Sequence, residues 1–339
     1  MVYYVQGKDS PKRRKFMSTG INKEKLLRLL AKHHWEKLAT ANAIGTDESS
    51  VRRACRKFGI NTDEERQKAM GAIVPQKFKV IKPTSTAIAR PGTFVIIPDA
   101  HGKEYDRNSA GAICGFIKDF KPEYIVNIGD LIDNQPLMAK VKTKYPAFDA
   151  LDIKELDTDY YYANELLNQI DCSAPKNAKK IFLPGNHEFR SDILMKGSPE
   201  FKKIVDYKDR LRFSERGWDA SRQYLEPFDI GKLKLFHGEF WGANHVKKHI
   251  TTYRRNLMYG HTHQVCQDAL ASPMQDIPTW GASIGCICNK NPEWQRSKSN
   301  CWEHGFAYGW FDKTTGDFYP VVTRIIHNRF YAEGKVYVG

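Results

Sequence analysis

Five times along this chain, a short apolar run ends directly in a cluster of acidic, histidine or asparagine side chains. The runs cover residues 93–98, 124–128, 180–184, 233–236 and 256–259, and the clusters that follow are Asp99-Ala100-His101-Gly102, Gly129-Asp130-Leu131-Ile132-Asp133, Gly185-Asn186-His187-Glu188, His237-Gly238-Glu239 and Gly260-His261-Thr262-His263. Helical patterns near 109–120 and 159–170 separate the first three runs, and this alternation indicates an α/β domain. Because open sheets bind ligands beyond the carboxyl ends of their strands, we expect the five clusters to converge on one site.

The chemistry of these clusters indicates a metal site. None of the five contains cysteine, so the available ligand atoms are oxygens and imidazole nitrogens. Such a set suits Mn²⁺, Fe or Zn²⁺ better than a thiolate site would. Seven candidate ligands are too many for one tetrahedral ion and about right for two ions that share a carboxylate. Two ions ~3.5–4 Å apart clamp the attacking and leaving oxygens of a phosphoryl displacement.

Taken in order, the clusters resemble the motifs of the calcineurin-like metallophosphoesterase superfamily. The resemblance covers about residues 93–265 and is carried by Asp99-x-His101, Gly129-Asp130-x-x-Asp133, Gly185-Asn186-His187-Glu188, His237-Gly238 and Gly260-His261-Thr262-His263. Any one motif would be weak, but the ordered set is very specific. The resemblance implies a four-layer αββα sandwich, in which two packed sheets are flanked by helices.

The resemblance also implies a role for each motif residue. Asp99, His101 and His263 would hold the first metal ion, Asp130 would bridge both ions, and Asn186, His237 and His261 would complete the second. His187 would lie over the metals and protonate the leaving oxygen, while a metal-bound hydroxide would attack phosphorus. Asp133 and Glu188 would support the ligands. Of the candidate ions we expect Mn²⁺, with Fe and Zn²⁺ as alternatives.

Differences between these motifs and those of known subfamilies narrow the range of candidate substrates. Purple acid phosphatases place a tyrosine ligand where this chain has Asp133, so an iron–tyrosinate site is not expected. Protein serine/threonine phosphatases carry Arg-Gly directly after the second motif, and that arginine grips phosphate. Here the two positions are Asn134 and Gln135, which favours a diester over a monoester substrate, with Arg190 as a partial replacement for the arginine.

The first quarter of the chain carries a large share of its positive charge. The whole chain has 53 Lys and Arg against 39 Asp and Glu, and residues 1–75 hold 16 of the former against 8 of the latter. A basic segment suggests an acidic partner, most simply nucleic acid, although a basic surface can also serve solubility alone. We divide the chain into a basic arm (1–20), short helices (21–60), a proline-containing linker (61–92) and the metallophosphoesterase domain (93–339).

Residues 35–60 resemble the helix-turn-helix module of small bacterial and phage DNA-binding proteins. Ala41, Gly45 and Val51 occupy the positions of the small residue in the first helix, the turn, and a buried residue of the recognition helix. Asp47 would cap that second helix, which runs from Glu48 to about Phe58. Four cations of this helix are the candidate DNA contacts: Arg52, Arg53, Arg56 and Lys57. A helical hairpin packed on the enzyme or on a partner protein is the alternative.

Three weaker features of the sequence each allow more than one interpretation. Cys286, Cys288, Cys301 and His304 form a set that can hold a structural zinc ion, although buried thiols are the default interpretation. His245 and His249 have zinc-type spacing but no evident third ligand, so we expect a solvated basic helix there. Four tryptophans can stack on bases, although core packing is the commoner role: Trp280, Trp294, Trp302 and Trp310.

Together these patterns predict a dimetal phosphodiesterase that acts on DNA, and thus a nuclease. The alternatives are a phosphomonoesterase or cyclic-nucleotide phosphodiesterase with an accessory helical domain, and a non-catalytic DNA-binding protein, against which the complete ligand set argues. DNA is the expected partner, and a homo-oligomer or partner subunit stays open. Seven scattered cysteines, no leader pattern and no stretch of 18 apolar residues predict a cytoplasmic protein of a bacterium or phage-infected cell, without a membrane span.

Overall fold

The computed structural model describes residues 21–71, 90–137, 152–292 and 299–339. The chain divides into two compact units, Met1–Ala87 and Ile88–Gly339. The predicted basic arm and most of the predicted linker therefore lie outside the described residues. Among the described residues, no helix is both long enough and apolar enough to cross a membrane.

Four helices make up the described part of the first unit: α1 (Lys23–Lys32), α2 (Lys37–Ala43), α3 (Glu48–Phe58) and α4 (Thr62–Gly71). The first three helices and the segment between α3 and α4 share a small apolar core, made of Leu26, Leu30, Ala41, Val51, Cys55 and Ile60. The helix predicted from Glu48 to about Phe58 is confirmed. Its start is fixed by the Asp47 carboxylate, which accepts a hydrogen bond from the Ser50 amide at 2.9 Å.

The predicted linker begins with a helix that the sequence analysis did not predict, because residues 62–71 form α4. This helix has no periodic apolar face that would reveal it in the sequence. Instead, its first turn carries Asp63, Glu64 and Glu65, and acidic side chains at that end interact favourably with the helix dipole.

The second unit contains two sheets, a hairpin and seven α-helices in its described part. The strands are β1 (Gly92–Ile97), β2 (Tyr124–Asn127), β3 (Lys179–Phe182), β4 (Trp218–Asp219), β5 (Phe228–Ile230), β6 (Leu233–Leu235), β7 (Asn256–Tyr259), β8 (Val265–Leu270), β9 (Thr279–Ile284), β10 (Gly305–Phe311), β11 (Phe318–Arg324), β12 (Arg329–Ala332) and β13 (Lys335–Val338). The helices are α5 (Arg107–Phe120), α6 (Ile153–Ser173), α7 (Asn186–Gly197), α8 (Lys202–Val205), α9 (Tyr207–Arg210), α10 (Phe213–Arg216) and α11 (His245–Tyr253).

The strand orders are β11-β10-β1-β2-β3-β4 in the first sheet and β5-β6-β7-β9-β8 in the second, while β12 and β13 form the hairpin. Strands β1 to β4 are parallel, and β6, β7 and β9 are parallel in the second sheet. The edge strands β5 and β8 and the pair β10–β11 run antiparallel to their neighbours. All five predicted strand segments are therefore present, and each is followed directly by its polar cluster.

Alternating side chains of β1 show how the layers stack. Phe94 and Ile96 pack into a core shared with the second sheet, which contributes Leu235 and Met258 among others. Val95 and Ile97 point to the other face, where α5 and α6 cover the sheet. On the far side of the second sheet, apolar residues of α11 pack against β7. The predicted four-layer αββα sandwich is confirmed.

One aromatic cluster attaches the hairpin to the first layer of helices. Phe116 of α5 is fully buried, and its ring lies 5.3 Å from Tyr337 and 5.9 Å from Phe330, both on the hairpin. Its ring also contacts Tyr308 of β10 at 4.7 Å. Phe116 thus joins α5, the first sheet and the hairpin.

We expect Phe116→Ala to lower the free energy of unfolding by ~3–5 kcal/mol, because it removes a fully buried ring from the meeting point of three elements. Urea denaturation followed by circular dichroism measures the change. Tyr331→Ala, on the same hairpin but 69% exposed, is the matched control and should change stability by at most ~0.5 kcal/mol. Equal effects of the two variants would contradict the packing role of Phe116.

Candidate metal centre

The seven predicted ligands lie together at the carboxyl ends of five strands, β1, β2 and β3 of the first sheet and β6 and β7 of the second. Ligand atoms of Asp99, His101 and Asp130 lie within 4.8 Å of one another, and so do those of Asp130, His237 and His261. Asp130 belongs to both groups. This is the placement that a carboxylate shared by two ions requires.

The first group contains a buried acceptor with no partner. Asp99 is fully buried, and its Oδ1 atom makes no hydrogen bond. Its Oδ2 atom lies 3.2 Å from Nε2 of His263, and that nitrogen lies 3.0 Å from Nε2 of His101. A buried carboxylate oxygen is costly unless it is paired or bound to a cation. A metal ion bound between these side chains would remove that cost.

In the second group, one hydrogen bond fixes which ring nitrogen faces the site. Nδ1 of His237 donates to the main-chain carbonyl of Ile128 at 2.9 Å, so Nε2 carries the lone pair of the neutral ring. That Nε2 lies 3.2 Å from Asp130 Oδ2 and 3.0 Å from Asn186 Oδ1. The Asn186 oxygen also lies 2.8 Å from Nδ1 of His261. These acceptor atoms converge on one space, where only a proton or a cation can stabilise them.

The pKa values of the two histidines reflect this convergence. Burial opposes the protonation of His237, but the carboxylates of Asp130 and Asp99 outweigh it and raise the pKa of His237 to about 10. Burial and the neighbouring His237 ring lower the pKa of His261 to about 4. The carboxylates thus favour positive charge at the centre of the site, and divalent cations would supply that charge. The donor set therefore fits two cations that share Asp130.

Several ligands occupy strained backbone positions. The φ angles of His101, Asp130, His261 and His263 are 55°, 48°, 63° and 57°, in the left-handed region that side-chain-bearing residues rarely adopt. Such conformations cluster at functional sites and cost ~1–3 kcal/mol each. The fold thus turns the backbone sharply just after the strands, which aims the ligand side chains at a common point.

Two glycines of the motifs are required by close approach. A Cβ atom at Gly185 would lie 2.1 Å from Asp130 Oδ1, and one at Gly260 would lie 2.0 Å from Asp99 Oδ1. Both contacts are far too short for any side chain. These glycines therefore leave room for the two carboxylates at the centre of the site.

His187 lies in the first turn of α7, beside the ligands. Its Nδ1 atom donates to the main-chain carbonyl of Asp133 at 2.5 Å, which leaves Nε2 as the ring nitrogen that can exchange a proton inside the site. That Nε2 lies 3.6 Å from Asp130 Oδ2 and 3.1 Å from the Arg190 guanidinium. Burial opposes protonation, but the carboxylates of Asp130 and Asp133 raise the pKa of His187. The geometry suits the predicted acid without requiring His187 to bind a metal.

Three acidic side chains support the ligands. Asp133 Oδ1 lies 3.2 Å from Nδ1 of His101, which directs the other ring nitrogen toward the site. Glu188 accepts hydrogen bonds from four main-chain amides of the second and third motifs. Asp159 of α6 accepts from the amides of Asp133 and Asn134, and burial raises its pKa to about 6. Sequence reasoning missed Asp159, since it lies far along the chain in an ordinary helical pattern.

The structure shows what Asn134 does at the position where protein serine/threonine phosphatases carry an arginine. Asn134 is fully buried, and its amide donates to the His187 carbonyl at 2.9 Å and to Ser191 Oγ at 3.0 Å. Its side chain therefore braces α7 and does not face a substrate.

The chain matches the family model described as calcineurin-like phosphoesterase over residues 92–293, more than half of its length. It belongs to the calcineurin-like phosphoesterase family. The sequence-based family assignment is confirmed, and this phosphoesterase is a metal-dependent phosphoester hydrolase. The match ends before β10 and β11, although β10 pairs with β1 in the first sheet.

Individual relatives of this phosphoesterase are distant. The Gene 54 protein of Mycobacterium phage L5 is 25% identical over 259 residues, which cover 72% of this chain and 97% of that protein. The solved structure of Entamoeba histolytica Vps29 with Zn²⁺ is 11% identical, with a TM-score of 0.35, and the match covers 73% of this chain and 97% of that one. YfcE, a phosphoesterase from E. coli, is 13% identical, with a TM-score of 0.28 over 68% and 98% of the two chains. At these TM-scores the structural matches add nothing to the family match.

The cysteine set does not form the zinc site that its spacing allows. Both ring nitrogens of His304 are engaged, by Ser109 Oγ at 3.1 Å and the Cys288 carbonyl at 2.8 Å. Cys301 is exposed, whereas Cys286 and Cys288 are buried. Cys288 Sγ instead lies 3.9 Å from Nδ1 of His263, behind the first ligand group. This contact could not be predicted from the sequence, because the two residues lie on separate segments.

The expectation of a solvated basic helix holds for Lys247 and Lys248 of α11, which are exposed, but not for its two histidines. His245 and His249 are buried, and Nδ1 of His249 donates to the His245 carbonyl at 2.8 Å. Nε2 of His249 then accepts from the main-chain amides of Glu239 and Phe240 at 3.1 and 3.3 Å. The pair therefore holds the loop that follows the fourth motif.

The tryptophans singled out in the sequence differ in their surroundings. Trp280 and Trp310 are half-buried within β9 and β10, and Trp294 lies outside the described residues. The Trp302 ring packs edge-on against His263, with centroids 4.1 Å apart. Sequence reasoning missed Trp241, which is 78% exposed and lies near His261.

The ligand and acid roles can be separated by substitution. Asp130→Asn should lose most bound metal, because the shared carboxylate neutralises both cations. His187→Ala should keep about two metal ions per chain, as in the unchanged phosphoesterase. Its turnover should nevertheless fall ~10²–10⁴-fold, since general acid catalysis typically contributes that much.

Plasma mass spectrometry after dialysis against Mn²⁺ measures the metal content, and steady-state kinetics measure the turnover. The loss in His187→Ala should be smallest with a p-nitrophenolate leaving group, which needs no proton. Loss of metal from His187→Ala would instead make His187 a ligand.

Proposed function

We propose that this phosphoesterase is a dimetal phosphodiesterase that cleaves DNA. The observation that carries the proposal is a cationic helix face in the same chain as the metal-ligand cluster. On α3, four cations are all exposed: Arg52, Arg53, Arg56 and Lys57. Such a face neutralises backbone phosphates, which is the main source of affinity for DNA.

The contacts of these cations leave them available to DNA. Arg52 pairs with Glu48 at 2.7 Å, but the pair is exposed and is worth ~0–1 kcal/mol at most. Arg53 makes only a 3.2 Å hydrogen bond to Ser50 Oγ among its described contacts. A phosphate can replace either partner at little cost.

The local geometry of α2 and α3 supports the helix-turn-helix interpretation. Ala41 and Val51 are buried in the core of the first unit, as that motif requires of these positions. Gly45, between the two helices, has a φ of 68°, which favours glycine. The exposed cations of α3 then lie on the helix that reads or grips DNA in such modules.

The metal centre supplies the chemistry. When bound, two divalent cations polarise the phosphoryl oxygens and activate water. His187, with Nδ1 held by the Asp133 carbonyl, presents Nε2 for proton transfer to the leaving oxygen. Mn²⁺ is the proposed ion, because the ligand atoms are carboxylate and amide oxygens and imidazole nitrogens. Cys288 also has its sulfur within 4.8 Å of ligand atoms of His101 and His263, but the proposal assigns no role to it.

A diester is the preferred substrate in this proposal. A monoester carries about one more negative charge near neutral pH, so it gains more from a nearby guanidinium. Asn134 stands where related phosphatases place such an arginine, and it carries no charge; its amide nitrogen donates to the His187 carbonyl and to Ser191.

Arg190 favours a second candidate, a phosphomonoesterase. Its guanidinium donates to the Asp133 carbonyl at 3.0 Å and borders the His187 ring. It can therefore place one positive charge beside a substrate phosphate. The values of kcat/KM for DNA and for phosphomonoesters decide between the two candidates.

With Mn²⁺ bound, we expect kcat/KM to be higher for labelled DNA than for nucleoside monophosphates or phosphoserine peptides. Hydrolysis should stop once a chelator has removed the metal. His187→Ala, purified in the same way, is the control for contaminating nuclease. Faster hydrolysis of the monoesters would replace the nuclease proposal with the phosphomonoesterase.

DNA binding should depend on α3 in a salt-sensitive way. Arg52→Ala/Arg53→Ala should weaken duplex binding and flatten the slope of log affinity against log salt by ~0.9 for each lost phosphate contact. Lys25→Ala/Arg28→Ala removes the same charge from exposed positions of α1 and is the matched control. Fluorescence anisotropy over a salt series measures both slopes. If both variants bind with the unchanged slope, α3 is not the DNA contact.

A further inference from the structure

An exposed tryptophan borders the second ligand group. Trp241 is 78% exposed, and its ring centroid lies 6.3 Å from that of His261. It belongs to the loop between the fourth motif and α11. Single exposed apolar residues are common on protein surfaces. This one directly adjoins a predicted metal ligand.

The loop that carries Trp241 is held in place by contacts between its preceding residues and α11. The neighbouring Phe240 packs against the buried His249, with ring centroids 4.8 Å apart. The Glu239 carboxylate accepts a hydrogen bond from Tyr253 at 2.7 Å, and the amides of Glu239 and Phe240 donate to His249. The backbone on one side of Trp241 is therefore fixed, while its ring is left facing outward.

A second aromatic surface lies beside the other histidine of this group. Tyr224 stacks on Phe189, with centroids 4.8 Å apart and planes at 23°. Phe189 is 38% exposed, and the Tyr224 ring lies 6.4 Å from that of His237. Since the rings of His237 and His261 are 5.2 Å apart, the aromatic surfaces adjoin the two histidines of one pair. We call Trp241, Phe189 and Tyr224 the aromatic rim.

We infer that the aromatic rim stacks on nucleobases next to the cleaved phosphate, so that the substrate is a single strand or an unpaired segment of DNA. The inference rests on the proposed nuclease function and names its substrate class. Bases inside a duplex have both faces covered by their neighbours, and exposing them costs unstacking energy. A single strand offers these faces freely, and aromatic side chains bind them with little dependence on sequence.

Charge near the rim suits the same ligand. Lys247 and Lys248 are exposed on α11, and the Lys248 ammonium lies 4.1 Å from the centroid of the Phe240 ring. Cationic and aromatic groups side by side are what proteins use to hold single strands, since the cations follow the phosphates while the rings take the bases.

The test compares two single-stranded oligodeoxynucleotides of equal length, each with one cleavable linkage. One carries thymine throughout, and the other is abasic on both sides of that linkage, so the phosphate charge is identical. The readout is the ratio of kcat/KM for the two substrates with Mn²⁺. We expect the unchanged chain to favour the thymine substrate ~5–150-fold, the range that corresponds to one base stacked on one aromatic side chain.

Substitutions show whether the aromatic rim is responsible for the ratio of kcat/KM between the two substrates. Trp241→Ala and Phe189→Ala should each lower the ratio toward one, while Trp241→Phe should keep most of it, because a smaller ring still stacks. Tyr331→Ala removes another exposed aromatic ring, from the hairpin, and should leave the ratio unchanged. Anisotropy binding of the same oligonucleotides in chelator gives a second readout that does not depend on hydrolysis.

The outcomes separate this inference from the function on which it rests. A ratio near one in the unchanged chain, or a ratio that Trp241→Ala leaves intact, would overturn the rim as a base-binding surface while the nuclease stands. Equal cleavage of single-stranded and fully paired DNA would also overturn it. Failure to cut either oligonucleotide, with monoesters hydrolysed, would remove the nuclease proposal itself.

Discussion

The buried carboxylate of Glu188 holds the centre of this molecule together. One oxygen accepts hydrogen bonds from the amides of Asp130 and Gly185 at 2.9 and 2.8 Å, and the other accepts from Leu131 and Ile132. It thereby joins the loop after β2 to the loop after β3. Burial and the nearby Asp130 carboxylate raise the pKa of Glu188 to about 7. Bound cations favour its ionised form, so metal binding and the positioning of the ligands strengthen each other.

Near Glu188, the positions of the ligands depend more on main-chain conformation and main-chain hydrogen bonds than on side-chain packing. Asp130 has a left-handed φ of 48°, and its Oδ1 atom accepts the His187 amide at 2.9 Å. The same carboxylate requires glycine at position 185. A rigid site of this kind binds its ions without reorganisation, since the cost of ordering it is met during folding. The aromatic rim differs from this site, because Trp241 and Phe189 are exposed and are free to change their side-chain conformations.

The strands, the helix α3 and the family could be predicted because their signals are local. An apolar run followed by a polar cluster identifies a strand end, and Asp47 marks the start of α3. Asp159 and Trp241 could not be predicted, since each acts through contacts with residues far away in the sequence. The helix α4 was missed for a different reason: it has no amphipathic pattern, and its acidic first turn resembles a solvated loop. Contacts between residues that are distant in the sequence can be identified only once the fold is known.

The place of β10 in the first sheet has a consequence for how the protein is made. β1 lies between β2 and β10, and β10 begins only at Gly305. During synthesis, β1 therefore has one unpaired edge until the ribosome has passed that point, and open strand edges invite aggregation. Asp99 and His101 follow β1 directly. These two ligands of the metal centre are thus made early, but the sheet edge beside them is covered only after β10 has been made.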